Sequence, residues 1–184
     1  CISSAASDVY KRQAVSLSAA LCSLEMIRGG TTAFLDAGGI HMDEAAKVYI
    51  KSSLRGALTL STMDDTKVPD SMRADAAESI SRLNEYYNTW NGSGDGRLSV
   101  YYSLRSLISC SEELIRGVFE AASERSAMVE AHMNEYPNEI NYHLERYQMR
   151  PMEYLDSLGV LSDHFVSAHS ILLSEHEIEL MAAN

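Results

Sequence analysis

The sequence predicts an α/β fold in which the strands form a parallel sheet. Short β-prone segments alternate with amphipathic helical segments along most of the chain. The predicted helices are long enough to connect parallel strands, which a tight hairpin cannot join. No GxGxxG or GxxxxGKS phosphate-binding loop occurs in the sequence. Two arrangements therefore stay open, a small doubly wound sheet without such a loop and part of a (β/α)8 barrel.

The elements follow from local patterns along the chain. The first helix is predicted over residues 14–28, because apolar residues recur at helical spacing until Gly29 and Gly30, where a flexible backbone favours the end of a helix. The predicted strands are residues 31–36, 55–61, 97–103, 127–132 and 164–169. The remaining predicted helices are residues 42–53, 71–90, 111–123, 147–157 and 174–183.

Residues 1–13 precede the first predicted helix and have two interpretations. Residues 1–7 are mostly small, and residues 8–13 look like a translated sequencing adapter. One interpretation is therefore a non-native N-terminal extension, and the other is a frayed N-terminal arm. The folded domain itself is expected over residues 14–184.

Composition restricts the partners and the location. The chain has 46% apolar and 22% charged residues, which is ordinary for a globular protein. Its formal charge of -11 argues against nucleic acid or an anionic membrane as a partner, because phosphate binding depends on Lys and Arg. No apolar run is long enough to cross a bilayer. The three cysteines form no CxxC pair, which favours a reducing, cytoplasmic location.

Polar residues at the ends of two predicted strands are the candidate site. His132 ends one strand and is followed by Glu135, and His169 ends the next. The carboxyl ends of barrel strands meet at one rim, so these side chains are expected to lie together. A neutral imidazole there can bind a divalent metal, and a nearby carboxylate can move protons. By spacing alone the pattern is weak, since most single histidines lie on the surface or are satisfied in a core.

Four segments in a fixed order are similar to one enzyme family. Residues 27–36 resemble the SGTTTFxD segment of the amidohydrolase superfamily, in its nucleobase and triazine aminohydrolase branch, which includes S-adenosylhomocysteine deaminases and chlorohydrolases. Residues 132–135 resemble its HxAE segment, and residues 168–170 resemble AHS or AHC. Residues 149–161 resemble its RPxEyL…lGlL stretch. The order and spacing agree over most of residues 14–184.

This resemblance implies a fold, a metal and roles for particular residues. The fold is a distorted (β/α)8 TIM barrel, of which the chain covers roughly strands 2 to 6 with their helices. One divalent ion is expected, zinc or alternatively iron, with His132 as a ligand. Glu135 would carry protons to the departing nitrogen, and His169 would contact the hydrolytic water or the substrate. Arg105, near the end of the fourth strand, is a candidate substrate-binding residue or a salt-bridged rim arginine.

The resemblance also shows what the chain lacks and where it differs. The family takes two metal ligands from an HxH on strand 1 and a catalytic Asp from strand 8, and no HxH occurs here. The isolated chain is therefore expected to be inactive and marginally stable. Glu130 stands where many relatives have an additional His, Asn134 stands where Ala is common, and Gln148 replaces a frequent Gly.

The predicted function is metal-dependent hydrolysis of a C–N bond in a nucleobase-like or triazine-like heterocycle, with deamination as the leading reaction. The partner is then a small heterocyclic substrate. The sequence does not give the oligomeric state of the full-length protein, although homodimers are usual among the enzymes that it resembles. The alternative is a non-catalytic acidic α/β module that binds another protein. Metal content would separate the two, because only the hydrolase is expected to purify with zinc or iron.

Overall fold

The computed structural model describes residues 4–69 and 73–184. In this part of the chain, strands and helices alternate as the sequence predicts. The strands are β1 (Ala33–Leu35), β2 (Arg55–Thr62), β3 (Leu98–Ser106), β4 (Val129–Met133) and β5 (Phe165–His169). The helices are α1 (Ser4–Arg28), α2 (Met42–Ser52), α3 (Ala76–Trp90), α4 (Ser93–Gly96), α5 (Glu112–Ser123), α6 (Pro137–Tyr147), α7 (Pro151–Ser157) and α8 (Glu175–Ala183), with a 3₁₀ turn at Leu107–Ser109.

The five strands form one sheet in the order β1-β2-β3-β4-β5. The pairs β1–β2, β3–β4 and β4–β5 are parallel. In the β4–β5 ladder, His132 lies opposite Ala168 and Met133 lies opposite His169. Sequential parallel strands joined by helices confirm the predicted α/β class.

The chain divides into two compact units. The first contains the described residues up to Leu60 together with Tyr86–Val100. Its core consists of side chains from α1, α2, β2, α3 and β3, namely Ala19, Met42, Ala45, Ala46, Tyr49, Leu58, Tyr86, Leu98 and Val100. Gly56 in β2 is required there, because a Cβ atom at this position would lie 2.6 Å from the ring of Phe34.

The second unit contains Ser61–Glu85 and Tyr101–Asn184. Its buried apolar residues lie on the strands and on α5 and α7, and include Tyr102, Leu104, Leu114, Ile115, Val129, Ala131, Met133, Met152 and Leu155. All residues of the predicted site belong to this unit. Burying this apolar surface is the main favourable contribution to its folding.

Several helices differ from the predictions. The helix predicted over residues 147–157 is shorter, because Gln148 adopts a left-handed φ of 57° and α7 begins only at Pro151. Helix α6, which ends at Tyr147, was not predicted. The helix predicted from Ser71 begins at Ala76 instead, after the Asp75 carboxylate accepts the Glu78 N–H at 2.8 Å. Ser71 itself lies outside the described residues.

The amino-terminal helix α1 begins at Ser4, before the predicted start at residue 14. The proposed non-native segment 1–13 therefore falls partly within α1, and residues 1–3 lie outside the described residues. Its origin stays a prediction. Among the described residues, no helix combines the length and apolar character that crossing a bilayer requires.

Candidate active site

Two imidazoles lie side by side at the carboxyl ends of neighbouring strands. His132 is the penultimate residue of β4, and His169 is the last residue of β5. Their ring centroids are 5.4 Å apart, with the ring planes inclined by 42°. We call His132 and His169 the histidine pair. The predicted proximity of the two rings is confirmed, while their chemical roles stay predictions.

Glu135 joins the histidine pair from the loop after β4. Its Oε1 is 3.6 Å from Nε2 of His169, and both side chains are partly exposed. The preceding residue, Asn134, has a left-handed φ of 51°, which turns the chain sharply after the strand. The structure thus brings together the three residues for which the sequence predicts metal binding and catalysis. A carboxylate near two imidazoles can accept and release protons.

The backbone after β5 is unusual. His169 and Ser170 have successive left-handed φ values of 69° and 53°, a conformation that is uncommon for residues other than glycine. The Ser170 N–H donates to the Met133 carbonyl at 3.0 Å, and Ser170 Oγ lies 2.6 Å from Ser167 Oγ. These contacts hold the end of β5 against the end of β4. Such unfavourable backbone geometry concentrates at functional sites.

Glu130 lies beneath the histidine pair, two residues before His132 on β4. Its side chain is fully buried, and Ser103 Oγ donates to its Oε2 at 2.8 Å. Its other oxygen, Oε1, has no hydrogen bond and lies 3.4 Å from Nδ1 of His132, which also has none. Burial raises the pKa of Glu130 to about 7, although the Ser103 hydrogen bond and the charge of Arg105 oppose the shift.

The surroundings of His132 favour its neutral form. Burial lowers the pKa of His132, and the positive charges of Arg105 and His169 lower it further. The Glu135 carboxylate acts in the opposite direction but does not reverse the shift. Because a metal binds the neutral imidazole, this environment suits a ligand.

Arg105 lies in β3, where its side chain is exposed. The β3–β4 ladder pairs Leu104 with Ala131 and then Ser106 with His132, so Arg105 has no ladder partner on β4. This irregularity is a local bulge, a feature that redirects a side chain. The charge of Arg105 acts on both Glu130 and His132, as their pKa shifts show. Its role in substrate binding stays a prediction.

Glu139 on α6 fixes the backbone that bears Glu135, and sequence analysis missed it. Its carboxylate accepts the N–H of Asn134 at 3.1 Å and the N–H of Glu135 at 2.9 Å. Burial raises the pKa of Glu139, and these two hydrogen bonds oppose the shift. Helix α6 was not predicted, so nothing in the sequence pattern placed this carboxylate under the loop.

Glu177 on α8 is a second buried carboxylate that sequence analysis missed. It accepts hydrogen bonds from four groups: Asn134 Nδ2 at 2.9 Å, Arg150 Nε at 2.7 Å, Met152 N at 3.1 Å and Ser174 N at 2.9 Å. Burial alone would raise the pKa of Glu177, but these bonds hold it below the usual range. The Ser174–Glu177 capping box is visible in the sequence as S-x-x-E, whereas the other donors come from distant segments.

The donors available for a metal ion are few. Within residues 4–69 and 73–184, no three His, Cys, Asp or Glu side chains are arranged to hold an ion. The histidine pair with Glu135 offers nitrogen and oxygen donors of the kinds that zinc accepts. The role of His132 as a metal ligand stays a prediction, which its lowered pKa suits.

The fold and the position of these residues define a class of protein. Parallel β/α units with polar side chains at the carboxyl ends of consecutive strands are the arrangement of (β/α)8-barrel enzymes. A family model described as the amidohydrolase family matches residues 5–184. The chain belongs to the amidohydrolase family, which confirms the resemblance seen in the four sequence segments.

Curated relatives are named deaminases. A 5'-deoxyadenosine deaminase of Methanobrevibacter smithii is 33% identical over 171 residues, covering 91% of this chain and 37% of that protein. A 5-methylthioadenosine/S-adenosylhomocysteine deaminase 2 of Archaeoglobus fulgidus is 32% identical over 165 residues, covering 88% of this chain and 38% of that protein. The chain thus spans somewhat more than a third of the length of these relatives.

Solved structures share the fold. An adenosine deaminase from Xanthomonas campestris with bound zinc superimposes with a TM-score of 0.83 at 24% identity, covering 94% of this chain and 38% of that one. A guanine deaminase from C. acetobutylicum with bound guanine gives 0.83 at 21% identity, covering 94% and 42%. These similarities support the predicted partial (β/α)8 barrel.

Proposed function

We propose that the intact polypeptide containing this chain is a metal-dependent aminohydrolase that deaminates the adenine ring of a nucleoside. The observation that supports it best is the grouping of the histidine pair with Glu135 at the carboxyl ends of β4 and β5. The names of the curated relatives support an adenine nucleoside whose 5' position is modified. A triazine-like ring is the alternative heterocycle.

One divalent ion, zinc or iron, belongs to this proposal. His132 would be one ligand, and the other ligands would come from parts of the polypeptide outside residues 1–184. When bound, the ion would supply Lewis-acid chemistry and lower the pKa of water. A solved relative with bound zinc supports zinc as the ion.

The chain's own residues would handle protons and the substrate. In deamination a water oxygen bonds to the ring carbon, the C–N bond breaks and ammonia leaves. Glu135 Oε1 would accept a proton from the water and deliver it to the departing amino nitrogen. His169 Nε2, which lies 3.6 Å from that oxygen, would hold the same water or the ring in place. Arg105 would contact the substrate from β3.

The isolated 184-residue chain is expected to be inactive under this proposal, because it provides only part of the ligand set. A cytoplasmic location and a homodimeric intact protein are further parts of the proposal. Both follow from the sequence and the resemblance.

The test is an ammonia-release assay on the intact, zinc-loaded protein. The substrates are 5'-deoxyadenosine, 5'-methylthioadenosine, S-adenosylhomocysteine, guanine and a 2-amino-triazine. Release of ammonia from an adenine nucleoside, with about one metal ion per chain, is expected. Absence of both bound metal and ammonia release would favour the non-catalytic acidic module instead. Release from the triazine alone would move the substrate class away from nucleosides.

A further inference from the structure

Two buried polar atoms at the base of the histidine pair lie close together, and the Arg105 backbone carbonyl is the other acceptor beside the His132 ring. Oε1 of Glu130 and Nδ1 of His132 both lack a partner, and they are 3.4 Å apart. We infer that Glu130 is a positioning residue whose carboxylate accepts a hydrogen bond from Nδ1–H of His132. The lone pair of the imidazole, which can bind a metal ion, is then on Nε2. This inference rests on the proposed metal-binding role of His132.

The two side chains are placed to make this bond. Residues two apart on a strand point to the same face of a sheet, so Glu130 and His132 share one face of β4. The Glu130 side chain is fully buried and the His132 side chain is 16% exposed. Water can therefore do little to satisfy either atom, and an unsatisfied buried polar group is costly. The 3.4 Å separation is only slightly longer than an ordinary N–H···O hydrogen bond, so an approach of about 0.2 Å would form the bond.

The Glu130 carboxylate is itself held in place. Ser103 Oγ donates to its Oε2 at 2.8 Å, and Ser103 lies opposite Glu130 in the β3–β4 ladder. The Ser103 carbonyl in turn accepts the Thr62 hydroxyl at 2.6 Å. With one oxygen occupied by Ser103, the other is left for His132. A fixed acceptor of this kind selects one tautomer of a neutral histidine.

The choice of tautomer decides which nitrogen can bind a ligand. A neutral imidazole has one N–H and one lone pair, so a proton on Nδ1 leaves the lone pair on Nε2. In metal-binding histidines, the N–H of the second ring nitrogen commonly donates a hydrogen bond to a carboxylate or a carbonyl. An ionised carboxylate at position 130 can only accept a hydrogen bond, so it favours the Nδ1–H form of His132.

The experiment reads the tautomer of His132 directly. The intact polypeptide is labelled with ¹⁵N-histidine, stripped of metal and measured at pH 9 by long-range ¹H–¹⁵N correlation, which distinguishes protonated from unprotonated ring nitrogens. His132→Gln identifies the His132 signals by their loss. Glu130→Leu and Glu130→Ala leave no acceptor at position 130, and Glu113→Ala on α5 is the matched control at an exposed position.

The expected result is an Nδ1–H tautomer of His132 in the unmodified protein and in Glu113→Ala. In Glu130→Leu and Glu130→Ala the population should move toward Nε2–H, the form that free histidine prefers in water. An Nε2–H tautomer in the unmodified protein would overturn the inference, and so would an unchanged tautomer in a folded Glu130→Leu or Glu130→Ala. If one of these two variants does not fold, the other and the unmodified protein decide the question.

A second measurement concerns metal. Competition with a chromophoric chelator should show zinc binding about 10- to 100-fold weaker in Glu130→Ala than in Glu113→Ala. The tautomer measurement uses neither metal nor substrate. Its failure would leave the proposed deaminase intact, and an inactive intact protein would leave the tautomer result standing.

Discussion

The carboxyl ends of β1 and β4 both present acidic and polar side chains, but the two regions use them differently. After β1, both carboxylate oxygens of Asp36 are bonded, one by the Tyr49 hydroxyl at 2.7 Å and the other by the Gly38 N–H at 3.0 Å. At the end of β4, His132 and Glu130 each keep a buried atom without a hydrogen bond. Polar residues that satisfy one another stabilise a loop, whereas unsatisfied ones are candidates for binding and catalysis.

The largest expected effect tests the β4 side of this comparison. Replacing Glu135 by Gln in the intact protein should lower kcat about 10²- to 10⁴-fold, because proton transfer would lose its carrier. The measurement is steady-state ammonia release, with Glu145→Gln, an exposed position on α6, as control. An unchanged kcat would remove Glu135 from the proposed mechanism.

Glu177 tests whether a fully satisfied carboxylate near the site is structural. Glu177→Ala should lower the free energy of unfolding by about 3 kcal/mol, since Arg150 and three further donors would lose their acceptor. Urea denaturation measures this, and Glu179→Ala on the exposed side of α8 is the control. Equal stabilities of the two variants would contradict the role assigned to Glu177.

His143 on α6 is a buried histidine outside the candidate site, with both ring nitrogens unsatisfied. It packs among Tyr142, Tyr147 and Tyr154 at ring distances of 5.7, 5.4 and 5.6 Å. Burial lowers the pKa of His143 to about 4, although the Glu177 carboxylate opposes the shift. This side chain shows that an unsatisfied buried group can also belong to a core.

His143 gives a prediction for acid stability. The unfolded chain binds a proton near pH 6.5 and the folded chain only near pH 4, so stability should fall as pH drops between these values. The His143 contribution is up to about 3 kcal/mol. His143→Phe should reduce this dependence, as measured by urea unfolding at several pH values, and should preserve activity. Loss of activity in a folded variant would break the distinction between core and site.

The smallest expected effect tests the β1 side. Asp36→Asn should lower the free energy of unfolding by about 1 kcal/mol, because an amide cannot accept both the Tyr49 hydroxyl and the Gly38 N–H. Ammonia release per folded molecule should be unchanged. A large drop in kcat without a change in stability would show that Asp36 serves catalysis and would overturn the comparison.

The sequence was informative wherever local pattern determines structure. The strand order along the chain, the parallel sheet and the positions of His132 and His169 follow from periodicity and from the four family-like segments, and the structure confirms them. The helix predicted over residues 147–157 begins later, at Pro151, because a left-handed Gln148 separates it from α6, which was not predicted.

The supporting carboxylates could not be predicted in the same way. Glu139 reaches Asn134 and Glu135 only because α6 begins directly after their loop. Glu177 receives donors from segments up to 43 residues away in the chain. Helical or strand periodicity contains no information about such contacts, because they depend on how the segments pack.

The bulge at Arg105 has a consequence for mutational tolerance. Since the ladder passes from Leu104 to Ser106, position 105 makes no strand pairing with β4 that a new side chain would disturb. Because the Arg105 side chain is exposed, an exchange there removes a charge that acts on Glu130 and His132 without opening a cavity in the core. Directed mutagenesis can therefore vary this position at little expected cost to the fold.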